Sequence, residues 1–161
     1  MLDETTIGFT VNLLWAMLFG GIIGAERSFR NKAAGFRTMV LICVGTTIFV
    51  DVGIFLSIKN ATPVIDRVIA NIITGIGFLG AGSIFRSSEK SAVEGLTTAA
   101  SIWYVAGVGI LIGLNLHAFA AIATGFALIT LLCLGPIERR FMDFLRVASA
   151  KAKKIKRPTA R

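Results

Sequence analysis

The sequence predicts an all-α protein, a polytopic bundle of about five transmembrane helices. Of its 161 residues, 55% are hydrophobic and 16% are charged, whereas soluble domains average about 25% charged residues. The apolar residues form long blocks, each close to the ~20 residues with which a helix crosses about 30 Å of hydrocarbon. Basic residues gather beside these blocks. We therefore expect one transmembrane domain, residues 1–137, followed by a basic cytoplasmic tail, residues 138–161.

The predicted spans cover residues 7–25, 36–58, 68–85, 96–114 and 116–135. The break between the fourth and fifth spans depends on Gly113, Asn115 and His117 alone, so a single bent element is the alternative. With five spans, 15 Lys and Arg residues fall on the side of the C-terminus and two on the other side. Because basic connections stay in the cytoplasm, we predict that the N-terminus faces out and the C-terminus faces in.

Glycines mark the predicted contacts between spans. Gly20 and Gly24 form a GxxxG pair at the end of the first span, a spacing that lets two helix backbones approach closely. The third span holds four glycines within eight residues, namely Gly75, Gly77, Gly80 and Gly82. Each weakens a helix by about 1 kcal/mol relative to alanine, so four together indicate close packing rather than helix stability. They also match the dinucleotide fingerprint GxGxxG, but the strand and soluble helix that this fingerprint requires are missing.

Charged residues stand at the predicted cytoplasmic ends of the spans. Glu26 and Arg27 follow the first span, and Arg37 and Thr38 open the second. The simpler interpretation is ordinary anchoring at the membrane interface. The alternative is that Glu26 pairs with Arg37 or Arg86, which would hold the cytoplasmic ends of three spans together.

Asp51 is the ionisable residue that lies well inside a predicted span. A carboxylate at mid-membrane costs about 2.5–3.5 kcal/mol on insertion scales, so it faces a partner or a wet cavity. Asn71 enters the third span from the same outer side. We predict that Asp51 faces the interior and bonds to Asn71 or to hydrated cations, which makes both residues candidate metal ligands on an ion path. The alternative is a shorter second span with Asp51 at the interface.

Hydroxyl groups open the fourth span at Thr97, Thr98 and Ser101. Such hydroxyls commonly bond to carbonyl groups of the preceding helical turn. The alternative is that they line a polar cleft beside the glycines of the third span.

The sequence indicates neither an enzyme nor a nucleic-acid-binding protein. Cys43 and Cys133 sit inside apolar runs, and the single histidine, His117, has no partner at the spacing of a zinc site. Without a nucleophile–base pair or a metal cluster, we expect no catalysis and no bound cofactor, with Mg²⁺ considered only as a ligand. The net charge of +8 comes from basic residues beside apolar spans, which is the pattern of cytoplasmic flanks.

The basic tail carries one apolar stripe at helical spacing, Phe141, Leu145, Ala148, Ala152 and Ile155. Most of its basic residues lie off this stripe. The pattern favours a helix lying on an anionic membrane surface. A dimer seam and a frayed tail are the alternatives.

Taken together, the motifs resemble the MgtC/SapB family of bacterial inner-membrane proteins over residues 12–113. The matching residues are Asn12-Leu13-Leu14, Gly24-Ala25-Glu26-Arg27, Ala34-Gly35-Phe36-Arg37-Thr38, Arg67 with Ala70, Thr74-Gly75-Ile76-Gly77-Phe78-Leu79-Gly80-Ala81-Gly82, and Gly95-Leu96-Thr97-Thr98-Ala99-Ala100 with Trp103. The set as a whole is specific to the family, although no single piece is.

The resemblance implies a role in adaptation to low magnesium and, in pathogens, in survival inside host cells. It implies regulation of other membrane proteins, including the F-type ATP synthase, in a multi-pass protein of the inner membrane. Expected partners are the lipid bilayer, a second copy in a homodimer and such a membrane protein. The family motif places Arg67 at the outer end and, at the cytoplasmic end, Glu26, Arg27, Arg37, Thr38, Arg86, Thr97 and Thr98.

Two departures keep a second function open. Asn71 stands where family members often have Gln, and Asp51 lies outside the motif. Many members also add a cytoplasmic ligand-binding-like domain after the spans, whereas this sequence ends at Arg161. The alternative function is a transporter or channel for magnesium or another cation, with Asp51, Asn71 and the glycine-rich span as its path.

Overall fold

The computed structural model describes residues 4–60, 63–86, 93–135 and 140. Its helices are α1 (Glu4–Phe29), α2 (Phe36–Asn60), α3 (Ile65–Gly82), α4 (Leu96–Gly113) and α5 (His117–Ile129), and α5 continues as a π-helix, Thr130–Leu134. A short antiparallel pair, β1 (Phe85–Arg86) and β2 (Val93–Glu94), lies between α3 and α4. The side chain of Arg86 and the predicted tail, apart from Arg140, lie outside the described residues.

Within this part of the chain, five helices are long and apolar enough to cross a membrane, with α5 and the π-helix counted as one. The predicted fold class, an all-α bundle of five spans, is therefore confirmed. The orientation of the termini stays a prediction. The chain divides into two compact units, Met1–Ala127 and Leu128–Arg161. Because α1 and α3 run opposite to α2 and α4, we name the two ends of the first unit by Arg27, near the end of α1, and by Asp51, on α2.

Helix α2 lies between α1 and α4, and glycines make both contacts close. A Cβ added to Gly20 would lie 2.8 Å from Cβ of Cys43, and one added to Gly24 would lie 2.7 Å from Cα of Phe36. On the other side, a Cβ added to Gly113 would lie 2.6 Å from Cβ of Val50. Real Cβ atoms do not approach so closely. The glycines of α1 and α4 therefore hold α2 within backbone contact of both helices.

Gly109, one turn before Gly113 on α4, makes the same kind of contact. An added Cβ would overlap the hydroxyl of Thr46 and would lie 2.5 Å from the carbonyl oxygen of Cys43. Thr47 completes this seam, because its hydroxyl donates to the carbonyl of Gly109 over 2.9 Å. The core of the first unit lies along these contacts.

Helix α3 lies at the periphery and does not use most of its glycines. Its buried residues, Ile72, Ile76 and Gly80, form one narrow stripe. A Cβ added to Gly80 would make only ordinary contacts with Ala99, from 3.6 Å. Cβ atoms added to three other glycines would meet no described atom within 4 Å: Gly75, Gly77 and Gly82. The expected close packing of α3 is thus not made by these three within the described chain, and contact with a second copy stays a prediction.

The outer surface of the bundle is apolar. Phe78 on α3 is 81% exposed and Leu41 on α2 is 71% exposed, whereas Ala16, Met39 and Val105 are fully buried. Large side chains of this kind exposed on several helices are expected where lipid, not water, surrounds a protein.

A sharp turn separates α4 from α5. The residues from Leu114 to Leu116 leave the helix, and Asn115 adopts φ +60°. Asparagine tolerates this left-handed conformation better than most residues. The fourth and fifth predicted spans are therefore two helices and not one bent element, and the turn brings Asn115 and His117 to the Asp51 end.

Candidate functional site

A buried charged cluster lies at the Arg27 end, formed by Glu26, Arg27, Arg30 and Thr98. Arg27 is only 2% exposed, and its Nη2 donates to Oγ1 of Thr98 over 3.2 Å. The sequence explains both positions. Gly24 brings α1 against α2, and Gly95, with φ +94°, turns the chain into α4 so that Thr98 lies in its first turn. The bond joins α1 to α4.

Glu26 pairs along its own helix. Its Oε1 lies 2.6 Å from Nε of Arg30, and its Oε2 lies 3.8 Å from Nη1 of Arg27. Arg37, one of the two predicted partners, is exposed, and the side chain of Arg86 lies outside the described residues. Among the described residues, Arg27 and Thr98 link α1 to α4 at this end, and the pairing of Glu26 with Arg86 stays a prediction.

Other motif residues at the two ends lie on the surface. Thr38 and Thr97 are exposed at the Arg27 end, and Arg67 is exposed near the start of α3. The hydroxyl of Ser101 donates to the carbonyl of Thr97 over 2.7 Å, as expected for a hydroxyl inside a helix. Thr98 differs, because it accepts a hydrogen bond from Arg27.

A second polar cluster lies at the Asp51 end, formed by Asn12, Asp51, Asn115 and His117. Asn12 is 3% exposed and stands at its centre. Its Nδ2 donates to Oδ1 of Asp51 over 3.1 Å and to Oδ1 of Asn115 over 3.2 Å. Its Oδ1 lies 2.8 Å from Nε2 of His117. The cluster joins α1, α2 and the α4–α5 turn.

These bonds indicate that Nε2 of His117 acts as a donor. Both hydrogens of the Asn12 amide nitrogen are used by Asp51 and Asn115, so the Asn12 oxygen faces His117 as an acceptor. Nε2 of His117 must then carry a hydrogen. The ring also lies 5.9 Å from the ring of Trp15, measured between centroids.

The predicted partner of Asp51 was wrong. Asp51 bonds to Asn12 on α1, whereas Asn71 is exposed on α3. In the sequence, Asn12 belongs to a motif shared with the family but has no predicted role, and Asn115 and His117 mark only a break between two spans. Nothing in the sequence indicated that these three meet, because Asn12 is 103 positions from Asn115.

The two clusters are separated by a packed layer. Asn12 and Glu26 lie about 21 Å apart along α1, at about 1.5 Å per residue. Between them α1 buries Ala16, Phe19, Gly20 and Ile23. The nearby hydroxyls of Thr46 and Thr47 are taken up by backbone carbonyls of α2 and α4. Among the described residues, the interior thus offers two polar ends and no polar path between them.

Five helices of the described chain are long and apolar enough to cross a membrane, and glycines pack α1 and α4 closely against α2. With polar clusters at both ends of the first unit, these helices define a multi-pass membrane protein. Comparison with known proteins is more specific: the MgtC family model matches residues 13–140. The chain belongs to the MgtC family.

Curated relatives agree with this family. The chain is 46% identical over 125 residues to "Protein MgtC" of Brucella abortus (strain 2308), an alignment that covers 78% of this chain and 50% of the relative. It is 40% identical over 149 residues to "Protein MgtC" of Salmonella paratyphi A, covering 92% of this chain and 60% of the relative. The chain thus spans about half the length of the curated relatives that it matches. No solved structure matches it.

Proposed function

We propose that this protein is a regulator in the bacterial inner membrane that supports adaptation to low magnesium, and in pathogens survival inside host cells, by acting on other membrane proteins. The F-type ATP synthase is the proposed partner. The observation that carries the proposal is the packed layer between the two polar clusters, because a regulator needs a stable surface and a transporter needs a path. Family membership supports the link to magnesium.

The Arg27 end is the proposed contact surface. The hydrogen bond from Arg27 to Thr98 joins α1 to α4 there, which gives the neighbouring surface a fixed shape. Exposed basic side chains lie near this buried hydrogen bond. The side chain of Arg30 is 38% exposed, and Arg37 is also exposed. Basic connections face the cytoplasm, so a partner would meet this surface from the cytoplasmic side.

Growth of a deletion strain in low magnesium, complemented with variants, tests the proposal. We expect Arg37→Gln to lose complementation at normal protein levels, because it alters the proposed contact surface without touching the core. Lys59→Gln is the matched control, since Lys59 is an exposed basic residue at the other end. We also expect Asp51→Asn to complement. Loss of growth with Asp51→Asn while Arg37→Gln grows normally would contradict the regulatory function.

Cation transport is the second candidate, and one observation favours it. A cavity of ≈ 560 Å³ opens toward Asp51 from the Asp51 end. Flux of magnesium into liposomes that contain only the purified protein decides between the two functions. We expect no flux above that of protein-free liposomes, and a flux that Asp51→Asn abolishes would establish transport instead.

A further inference from the structure

A cavity leads to the Asp51 cluster from one side of the membrane. It has a volume of ≈ 560 Å³ and is lined by apolar residues of α1 and α2 such as Phe9 and Phe55, together with Asn12, Asp51 and Asn115. The charge pattern predicts that this end faces out. With that orientation, a carboxylate and two amide groups line a cavity in the outer half of the bundle.

The carboxylate of Asp51 is only half satisfied. Its Oδ1 accepts a hydrogen bond from Asn12, whereas its Oδ2 is buried and accepts none from any described residue. The groups that Asn12 and His117 already use in this cluster do not supply this donor. Both amide hydrogens of Asn12 are in use, and Nε2 of His117 is bonded to the Asn12 oxygen. A buried carboxylate oxygen without a donor is unfavourable unless a positive charge compensates it.

We propose that this cluster binds a hydrated divalent cation, with Asp51 as its charged ligand and the amide oxygen of Asn115 as a second contact. Oxygen donors suit hard cations such as Mg²⁺ and Ca²⁺, and Mg²⁺ in particular keeps several of its waters when one carboxylate holds it. The cavity has room for those waters. Rotation of an aspartate carboxylate about its Cβ–Cγ bond is soft, and cation binding would require Oδ2 to turn toward the cavity that the residue lines.

A bound cation would hold the Asp51 end together. Asp51 belongs to α2, Asn115 to the α4–α5 turn, and Asn12 on α1 positions both through its amide nitrogen. The site lies opposite to the proposed contact surface and does not depend on the proposed function. In low magnesium the site would lose its cation, so the Asp51→Asn variant and the wild-type protein would both lack it. This agrees with our expectation that Asp51→Asn supports growth in the complementation experiment.

Thermal unfolding of the purified protein in zwitterionic nanodiscs tests the site. A ligand that binds only the folded state raises the melting temperature with its concentration. We expect the melting temperature to rise with MgCl₂ or CaCl₂ at constant ionic strength, and we expect Asp51→Asn to abolish this rise. The control is Asp66→Asn, which removes the same charge from an exposed residue at the same end and should respond like the wild type.

A second variant keeps the test informative if Asp51→Asn does not fold. Asn115→Gly removes the amide oxygen at a residue whose φ of +60° glycine adopts without strain, and we expect it to bind the cation about 10-fold or more weakly. Unchanged affinity in Asn115→Gly, a full response in Asp51→Asn, or no response in the wild type would overturn the proposal. A wild type stabilised only by NaCl or only by acid would overturn it as well, since a monovalent ion or a proton would then occupy the carboxylate.

Discussion

Arg27 shows how one side chain can set the geometry of a membrane bundle. Its guanidinium is almost completely buried at the end of α1, and the hydroxyl of Thr98 on α4 accepts one of its hydrogen bonds. Removing one partner of a buried charge is expensive because the other stays in a medium of low dielectric constant. The bond therefore specifies the distance between two helices whose other contacts are apolar and permissive.

We predict that Thr98→Val destabilises the protein by about 1–3 kcal/mol, because Nη2 of Arg27 would lose its acceptor without any change in side-chain shape. Thr97→Val is the matched control, since Thr97 is the exposed neighbour in the same turn. Thermal unfolding in detergent measures both variants. Equal melting temperatures for the two would show that the Arg27–Thr98 bond contributes nothing.

Asn12 plays the corresponding part at the Asp51 end. We predict a double-mutant coupling energy of about 0.6–1.7 kcal/mol between Asn12→Ala and Asp51→Ala, between the average and the maximum found for hydrogen bonds between membrane helices. The pair Asn71→Ala and Asp51→Ala should show no coupling, because Asn71 is exposed on α3. Chemical unfolding of the three single and two double variants with the wild type gives both values. If Asp51 coupled to Asn71 and not to Asn12, the bond between Asp51 and Asn71 predicted from the sequence would be correct.

At the scale of the helix, close packing depends on which glycines face a neighbour. Gly20 and Gly24 on α1 and Gly109 and Gly113 on α4 hold α2 between two backbones, whereas most glycines of α3 face no described atom. In lipid, such contacts gain van der Waals energy instead of hydrophobic burial. A methyl group added to a glycine that contacts a neighbouring helix therefore separates the two helices. A methyl group added to a glycine without such a contact only stabilises its own helix.

We predict opposite effects for two alanine substitutions in α4. Gly109→Ala should destabilise the bundle by about 1–3 kcal/mol, since the new methyl group would overlap Thr46 and the backbone at Cys43. Gly107→Ala should stabilise it by up to about 1 kcal/mol, because no described atom lies within 4 Å of an added Cβ and alanine favours the helix. Unfolding in detergent compares the two. Destabilisation by Gly107→Ala to the same extent would mean that helix packing does not separate these glycines.

For the whole molecule, orientation decides which polar cluster faces which compartment. Of the 17 basic residues, 15 fall on the side predicted to be cytoplasmic. Positive charge resists transfer across the membrane, so this asymmetry predicts that the Arg27 end faces in. The proposed cation site and the proposed contact surface then face opposite sides of the membrane.

We predict that a reporter fused after Arg161 is active in the cytoplasm and that one inserted at Asn115 reports the outer side. An alkaline phosphatase fusion and a fluorescent protein fusion at each position measure this directly, since each is active on one side only. A C-terminus on the outer side would contradict the predicted orientation of the five-span bundle and would place the Asp51 cluster toward the cytoplasm.

The sequence by itself determined the five spans and the family resemblance. Span length is a local property, because a helix in lipid must satisfy its backbone hydrogen bonds within itself and offer mostly apolar side chains. The motif at residues 24–27 likewise pointed to the Arg27 end before any contact was known. Hydrophobicity could not say which face of a span points inward, since lipid tails are as apolar as the core.

The tertiary structure determined which side chains bond to each other and which helices are in contact. Arg27 meets Thr98 across 71 positions and Asn12 meets Asp51 across 39, distances over which a helical repeat indicates a face but not a neighbour. The same holds for glycines, because GxxxG in α1 and the glycine run in α3 look equally suited to close packing. The arrangement of the helices places the α1 glycines against α2 and leaves most of the α3 glycines without a described neighbour. Contact depends on the positions of both backbones, which the sequence of one helix does not give.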